Sequence, residues 1–216
     1  MTPPGAFRAA VFDLDGTLID SETRSRESWL HVFAARGIPP DEALIRSFVG
    51  RRGIDMHGLL KERLPGHDPA ELMAASSAQF HAPHHPPLGP LPGAVDLIRS
   101  LAAAGVPVGL VTSARRRYAE GSLADLGIRE FFAVVVTAED VRVGKPDPEG
   151  YRAACQALGF PPACCVVFED APAGVAAAKA AGAYCVAVTT THAAAELAAA
   201  DLVVPGLSVV SWPLPG

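Results

Sequence analysis

Residues 9–20 of the sequence read AAVFDLDGTLID, and the order of residue types in this stretch indicates the type of fold. Four apolar residues, typical of a buried strand, end at two carboxylates that stand two positions apart, Asp13 and Asp15. Gly16 follows, and a residue without a Cβ atom permits the sharp turn by which the chain leaves the strand. A buried strand that ends in paired acids predicts a functional site at the edge of a sheet.

Further short apolar runs rich in valine follow along the chain, and each ends in polar or turn residues. We expect buried parallel strands at residues 9–12, 106–111, 132–136, 165–168 and 184–188, and a weaker one at 202–204. Helical patterns separate these strands, at residues 94–103, 117–126, 148–158 and 172–181, and the alanine-rich run 193–200 also favours helix. The alternation predicts an α/β fold, a Rossmann-like parallel sheet with helices on both faces.

The stretch from about residue 21 to residue 86 interrupts the alternation, because it contains no strand pattern. It contains four helical patterns instead, at residues 22–36, 41–48, 54–63 and 69–81. A proline-rich segment, residues 83–93, leads back to the sheet. We therefore predict two domains: residues 1–19 and 87–216 form the α/β core, and residues 20–86 form an inserted all-helical cap.

The composition excludes several classes of protein. Half of the 216 residues are hydrophobic, which indicates a folded chain, and the net charge of −5 argues against a nucleic-acid partner. No apolar run reaches about 18 residues, so we expect no membrane partner. The first residues lack the pattern of a signal peptide, and the four cysteines form no C-x-x-C pair for zinc. We expect a cytoplasmic monomer, since no unclaimed amphipathic stripe suggests a protein partner.

Polar residues follow the carboxyl ends of the first four predicted strands. In an open parallel sheet these ends meet at one edge, which is where such sheets bind ligands. The residues at these ends are Asp13, Asp15, Gly16 and Thr17, then Thr112 and Ser113, then Lys145 in the loop after the third strand, and finally Glu169 and Asp170. Several carboxylates, one ammonium group and several hydroxyls should therefore lie together.

This set of groups suits a metal ion and a phosphoryl group. Crowded carboxylates repel one another and raise each other's pKa, and a divalent cation relieves that repulsion. Asp13 and Asp170 offer the hard oxygen ligands that Mg²⁺ prefers, and Lys145 adds a second positive charge. Donors around such a positive centre bind phosphoryl oxygens. We therefore predict Mg²⁺ as the cofactor and a small phosphorylated molecule as the substrate.

The spacing of Asp13 and Asp15 predicts a separate catalytic role for each. Side chains at positions i and i+2 of an extended strand point the same way, so Asp13 and Asp15 could reach one substrate from one side. Asp13 would attack phosphorus and form an aspartyl-phosphate. Asp15 would protonate the leaving oxygen and then deprotonate the water that releases phosphate.

Four segments, DLDGTLIDSE, LVTSA, VGKPDPEGY and VVFEDAPAGVAAAKAAG, resemble in order the four motifs of the haloacid dehalogenase superfamily. The helical insertion after the first motif is similar to that of members with a helical cap, among them sugar-phosphate and glycerol-phosphate phosphatases and β-phosphoglucomutase. The resemblance covers residues 7–20 and about 90–192 well, and the cap only loosely. It implies the fold of that superfamily and a Mg²⁺-dependent phosphatase acting on small phosphate monoesters such as sugar or polyol phosphates.

The resemblance also implies roles for single residues. Asp13 is the nucleophile and Asp15 the general acid and base. Thr112 binds the transferring phosphoryl group with help from the backbone of Ser113, and Lys145 steadies Asp13 and the phosphoryl charge. The implied metal ligands are Asp13, the backbone carbonyl of Asp15, Asp170, and Glu169 through a metal-bound water.

Two residues bear on the branch of the family. Haloalkanoate dehalogenases lack the second acid of the first motif, so the presence of Asp15 favours phosphate-ester chemistry. β-Phosphoglucomutase carries a histidine twelve residues after the nucleophile, and Ser25 stands at that position here. A phosphosugar mutase and a non-catalytic module that binds metal or phosphate are the alternative hypotheses.

Arginines supply the remaining candidates for the binding of an anionic substrate. Arg51 and Arg52, in FVGRRGID, would face the substrate from the cap, and a solvated pair of charges is the alternative. Arg115 and Arg116 follow the second strand, and we assign Arg116 to the substrate and Arg115 to the start of a helix. The predicted substrate-binding set is Gly16, Arg51, Arg52, Ser113 and Arg116.

Overall fold

The computed structural model describes residues 7–51 and 53–214. Six strands lie in this part of the chain: β1 Ala9–Phe12, β2 Val108–Val111, β3 Phe132–Val136, β4 Cys165–Glu169, β5 Tyr184–Val188 and β6 Leu202–Val204. They form one parallel sheet in the order β3-β2-β1-β4-β5-β6. The strand that ends at the paired acids therefore lies at the centre of the sheet, between β2 and β4.

Eight α-helices accompany the sheet in the described residues: α1 Glu22–Ala35, α2 Glu42–Arg46, α3 Gly53–Arg63, α4 Pro69–Phe80, α5 Ala94–Ala103, α6 Arg116–Asp125, α7 Glu149–Ala157 and α8 Pro172–Ala181. The predicted parallel α/β sheet with inserted helices is confirmed, and no end of these strands and helices differs from the prediction by more than two residues. Among the described helices, none combines the length and the apolar character that a crossing of the bilayer requires.

Both faces of the sheet are buried, which explains why its strands read as unbroken apolar runs. Ala10 and Phe12 of β1 belong to one hydrophobic cluster, and Ala9 and Val11 belong to another. Successive side chains of a strand point to opposite faces, so the two clusters cover the two faces of the sheet. A polar side chain can then leave the core only at the end of a strand, and this condition places the candidate site.

The helix predicted for the alanine-rich run at residues 193–200 is wrong. This run forms turns, in which the amide of Glu196 donates to the carbonyl of Ala193 at 2.9 Å. The amide of Asp201 then donates to the carbonyl of Cys185 at 2.9 Å and brings the chain back to the sheet. The need to pair β6 with β5 therefore overrides the helix propensity of alanine.

Helices α1–α4, here called the helical segment (residues 22–80), have a hydrophobic cluster of their own. Helix α4 packs against both α1 and α3. The buried members of the cluster are Trp29, Val32, Phe33, Ile38, Leu44, Ile45, Phe48, Leu60 and Leu72. A separate core is expected of a separate domain. The division of the chain at residues 20 and 86 itself stays a prediction.

The two connections between the sheet and the helical segment run side by side. The amide of Leu91 donates to the carbonyl of Leu18 at 2.9 Å, and the amide of Asp20 donates to the carbonyl of Gly89 at 3.1 Å. The outgoing connection begins directly at the end of β1, where the paired acids lie. A movement of the helical segment would therefore be transmitted to the candidate site.

Candidate active site

Strand pairing brings the predicted site residues together. Phe12, the last residue of β1, is in register with Leu110 of β2 and with Phe168 of β4. The next residue, Asp13, is buried, and its amide donates to the carbonyl of Phe168 at 3.0 Å. The residues that follow these three strands therefore share one edge of the sheet.

Lys145 neutralises part of the acidic charge at this edge. Its ammonium donates to the carboxylate of Asp13, to Oε1 of Glu169 at 2.6 Å and to the carbonyl of Val111 at 3.2 Å. The hydroxyl of Tyr151 donates to the same Oε1 of Glu169 at 2.5 Å. Burial by itself would lower the pKa of Lys145, but the charges of Asp13 and Glu169 hold it above its ordinary value. Lys145 is therefore a fixed positive charge.

Asp13, Glu169 and Asp170 form a buried acidic cluster whose candidate ligand oxygens lie within 4.8 Å of one another. Burial raises the pKa of Asp13 well above its ordinary value, and the charge of Lys145 opposes this rise. Burial likewise raises the pKa of Asp170, and the charge of Glu169 adds to the rise. Three carboxylates beside one ammonium group leave an excess of negative charge, so this donor set fits a hard divalent cation.

Neighbouring hydroxyls and a glycine hold Asp170 in place. Thr17 donates to Oδ1 of Asp170 at 3.1 Å, and Thr191 donates to Oδ2 at 2.5 Å. A Cβ atom at position 16 would lie 2.3 Å from Oδ2, and Gly16 has a φ of +79°, which favours glycine. Gly16 thus allows the turn after β1 to approach the acidic cluster, and its contact with a substrate stays a prediction.

Asp15 has partners different from those of Asp13. It is half-buried, and its Oδ1 accepts a hydrogen bond from the hydroxyl of Tyr118 at 2.8 Å. Burial raises the pKa of Asp15, while hydrogen bonds from Ser21 and Tyr118 oppose the rise. Two carboxylates in such different surroundings suit two different chemical roles.

Thr112 and Ser113 lie where β2 ends and face the helical segment. The amide of Thr112 donates to the carbonyl of Val136 at 3.0 Å, which keeps the residue in line with the sheet. The hydroxyl of Ser113 donates to the carbonyl of Gly50 at 2.8 Å. This contact ties the edge of the sheet to the loop that follows α2.

A cleft of about 850 Å³ separates the sheet edge from the helical segment. Binding sites for small molecules typically span about 300–1,000 Å³. Of the predicted site residues, Asp13, Asp15, Arg51, Thr112 and Ser113 line this cleft. The helical segment contributes Trp29, Phe48 and Phe80 to the wall.

Arg116 is not among the residues that line the cleft, and its contact with a substrate stays a prediction. Its guanidinium forms an ion pair with Asp140, because that carboxylate lies beside the start of α6. Arg115 and Arg117, its neighbours in sequence, line the cleft instead. The prediction for Arg52 lies outside the described residues.

Sequence reasoning assigned no role to four residues that support the cluster or its neighbours: Tyr118, Tyr151, Thr191 and His192. Nδ1 of His192 lies 3.2 Å from the carbonyl oxygen of Asp170, and burial lowers the pKa of His192. Thr191 and His192 follow the end of β5, so the rule that found the other acids and hydroxyls could have found them. Tyr151 closes the segment VGKPDPEGY, whereas nothing in the sequence marks Tyr118 within α6.

Known proteins resemble this chain in sequence and in fold. The family model described as haloacid dehalogenase-like hydrolase matches residues 7–182. Validoxylamine A 7'-phosphate phosphatase of Streptomyces hygroscopicus subsp. limoneus is 45% identical, over 96% of this chain and 97% of the relative. Hexitol phosphatase A of Escherichia coli (strain K12) is 36% identical, over 93% of this chain and 92% of the relative. The crystal structure of a CbbY mutant from Rhodobacter sphaeroides with xylulose-(1,5)bisphosphate matches with a TM-score of 0.81 and 26% sequence identity. The match covers 95% of this chain and 96% of the CbbY chain.

Proposed function

This chain belongs to the haloacid dehalogenase-like hydrolase family, and from that premise we propose that it is a phosphatase of small phosphate monoesters, of the sugar or polyol phosphate class. One observation carries the proposal: Asp13, Lys145, Glu169 and Asp170 converge at a strand edge that opens into a cleft of about 850 Å³. Relatives named as phosphatases of validoxylamine phosphate and hexitol phosphates support it.

Asp13 is the nucleophile in this proposal. Lys145 binds one oxygen of its carboxylate, which leaves the other oxygen to form the bond to phosphorus. The bond between phosphorus and the ester oxygen breaks as this bond forms, so the phosphoryl group passes to Asp13. Thr112 and the backbone of Ser113, at the end of the neighbouring strand, would hold the phosphoryl oxygens.

Asp15 is the proton carrier. It lies in the same cleft as Asp13 but is not held by Lys145, and burial raises its pKa. A raised pKa favours a protonated carboxyl group, which can give its proton to the departing ester oxygen. The resulting carboxylate then takes a proton from the water that attacks the aspartyl-phosphate and releases inorganic phosphate.

Mg²⁺ is the proposed cofactor. Asp13, Asp170, Glu169 through a water, and the backbone carbonyl of Asp15 would hold it. When bound, the ion supplies positive charge that offsets both the carboxylates and the phosphoryl oxygens. Support comes from the donor set itself, which consists of oxygens in a buried cluster with excess negative charge.

We also propose that the protein acts as a cytoplasmic monomer on small molecules rather than on nucleic acid. All four cysteines are free thiols, as is usual in a reducing compartment. The net charge of −5 would repel a nucleic-acid backbone.

The function is tested by the release of inorganic phosphate from glucose 6-phosphate, a hexitol phosphate, fructose 1-phosphate and p-nitrophenyl phosphate in the presence of Mg²⁺. We expect Asp13→Asn to lower kcat by at least about a thousandfold, because the nucleophile is lost. Asp20→Asn is the matched control, since Asp20 is exposed on the same connection and its loss should leave kcat unchanged. An Asp13→Asn variant with full activity would exclude the mechanism.

The products distinguish the phosphatase from the two alternatives. β-Glucose 1-phosphate should yield free phosphate rather than glucose 6-phosphate, because Ser25, which lines the cleft, stands where the mutase resemblance requires histidine. Glucose 6-phosphate as the main product would identify a mutase. If none of these esters yields free phosphate or a rearranged sugar phosphate, the hypothesis of a non-catalytic binding module is the one that remains.

A further inference from the structure

One hydrogen bond joins α6 to the turn after β1 inside the cleft. The hydroxyl of Tyr118 donates to Oδ1 of Asp15 at 2.8 Å. Burial raises the pKa of Tyr118, and the charge of Asp15 adds to the rise, so the hydroxyl stays a donor.

The aromatic ring of Tyr118 contacts the end of the helical segment. Phe80 lies edge-on to it with the ring centroids 5.9 Å apart, and the His81 ring lies at 5.8 Å. These two residues close α4 and begin the return connection to the sheet. Tyr118 is therefore fixed between the proposed proton carrier and the helical segment.

We propose that Tyr118 is a positioning residue that aims the carboxyl group of Asp15 at the ester oxygen of a bound substrate. This inference rests on the proposed phosphatase function. Because Tyr118 occupies Oδ1 of Asp15, the transferable proton resides on Oδ2. As Asp13 bonds to phosphorus and the bond from phosphorus to the ester oxygen breaks, that proton passes to the ester oxygen and the leaving group departs as an alcohol.

The nature of the leaving group separates positioning from a merely structural role. A sugar alkoxide is a poor leaving group and needs the proton, whereas p-nitrophenolate departs without much help. Loss of correct aim should therefore slow sugar-phosphate cleavage more than cleavage of p-nitrophenyl phosphate. A structural defect would slow both reactions by the same factor.

The test is Tyr118→Phe, which keeps the ring contacts and removes only the hydroxyl. The quantity to measure is kcat/KM, because it reports the transfer of the phosphoryl group to Asp13. We expect kcat/KM for glucose 6-phosphate to fall about tenfold, mainly through kcat, which is the effect of losing one hydrogen bond. The fall for p-nitrophenyl phosphate should be at most about threefold. Tyr184→Phe, in a tyrosine that packs on Phe7 outside the cleft, is the control and should affect neither ester.

A second measurement shows whether Tyr118 acts through Asp15. In an Asp15→Asn background, adding Tyr118→Phe should lower the residual cleavage of glucose 6-phosphate no further, because the group being aimed is already gone. Additive losses, equal losses with both esters, or no loss in Tyr118→Phe would overturn the inference while the phosphatase function stands. A wild-type protein that releases phosphate from neither ester would overturn both.

Discussion

A Cβ atom at position 174 would lie 1.8 Å from Oε1 of Glu169, so the carboxylate of Glu169 can occupy its position only because residue 174 is glycine. Gly174 belongs to the first turn of α8. Oε2 of Glu169 accepts the amides of Asp170 at 3.0 Å and of Ala171 at 3.3 Å, directly before this helix. The acidic cluster therefore depends on a position that carries no functional group.

Gly174→Ala should displace Glu169 and destabilise the protein by about 1–3 kcal/mol, as overpacked positions typically do. It should also lower phosphatase activity, since Glu169 orients Lys145. Urea unfolding measures the first effect and phosphate release the second. Gly58→Ala is the matched control, because Gly58 in α3 has nothing within 4 Å of its Cβ position and should be stabilised by about 0.5–1 kcal/mol. Equal stability of the two variants would contradict the packing argument.

The buried ammonium group of Lys145 provides a second prediction. Lys145→Ala leaves two buried carboxylates without their cation, and breaking such a pair typically costs about 3–5 kcal/mol. Lys179→Ala removes an ion pair to Asp201 whose side chains are 36% and 29% exposed, so it should cost less than about 1 kcal/mol. Urea unfolding compares the two variants, and a loss of similar size in both would mean that Lys145 is not a buried counter-charge.

Metal binding can be measured without catalysis. A ligand that binds only the folded protein raises the free energy of unfolding, by about 2.7 kcal/mol at a hundredfold excess over its Kd. Mg²⁺ should therefore raise the thermal midpoint of the wild-type protein, and EDTA should reverse the rise. Asp170→Asn should remove the response, whereas Asp201→Asn, in the exposed pair with Lys179, should retain it. A wild-type midpoint that does not respond to Mg²⁺ would exclude a site in the acidic cluster.

The arginines after β2 provide a prediction about substrate binding. Arg115→Ala or Arg117→Ala should raise KM several-fold with little change in kcat, because these side chains line the cleft and an anionic ester would lose a favourable charge. Arg116→Ala should leave KM unchanged and cost at most about 1 kcal/mol of stability, since it removes the exposed pair with Asp140. Steady-state kinetics on one sugar phosphate shows whether Arg115 and Arg117 or Arg116 contact the substrate. A raised KM in Arg116→Ala alone would instead favour Arg116 as the residue that binds the substrate.

The meeting of the acids at one edge could be predicted because it follows from general rules of parallel sheets. Buried strands read as valine-rich runs, and their carboxyl ends meet wherever the strands pair in register, as Phe12 does with Leu110 and Phe168. The helical insertion could be predicted for a similar reason, because strand patterns are missing over a long interval. These features depend on local pattern and on the topology that the pattern implies.

The orientation of single side chains could not be predicted in this way. Arg116 pairs with Asp140, 24 residues later, because that carboxylate lies beside its helix, and only the folded chain shows that proximity. Tyr118 reaches Asp15 from a helix whose sequence has no special pattern there. The alanine-rich turn before β6 shows the same limit, since pairing of the last strand outweighs local propensity.

Glu22, in the first turn of α1, provides a prediction about pH. Burial raises its pKa from 4.5 to about 7, and the charges of Asp15 and Asp20 add to the rise. The unfolded chain releases this proton near pH 4.5 and the folded chain releases it near pH 7. Folding stability from this group is therefore fully present below pH 4.5 and is lost as the pH rises through about 7, by roughly 3 kcal/mol in total.

Glu22→Gln should remove this loss. Relative to wild type, the variant should gain roughly 2–3 kcal/mol of stability between pH 5 and pH 8 in urea unfolding with EDTA present, a size that follows from the raised pKa. Glu27→Gln is the matched control, since Glu27 is exposed on the same helix and water already solvates its charge. If Glu22→Gln and wild type instead follow parallel curves of stability against pH, Glu22 is not held in the buried, like-charged surroundings that the cleft provides.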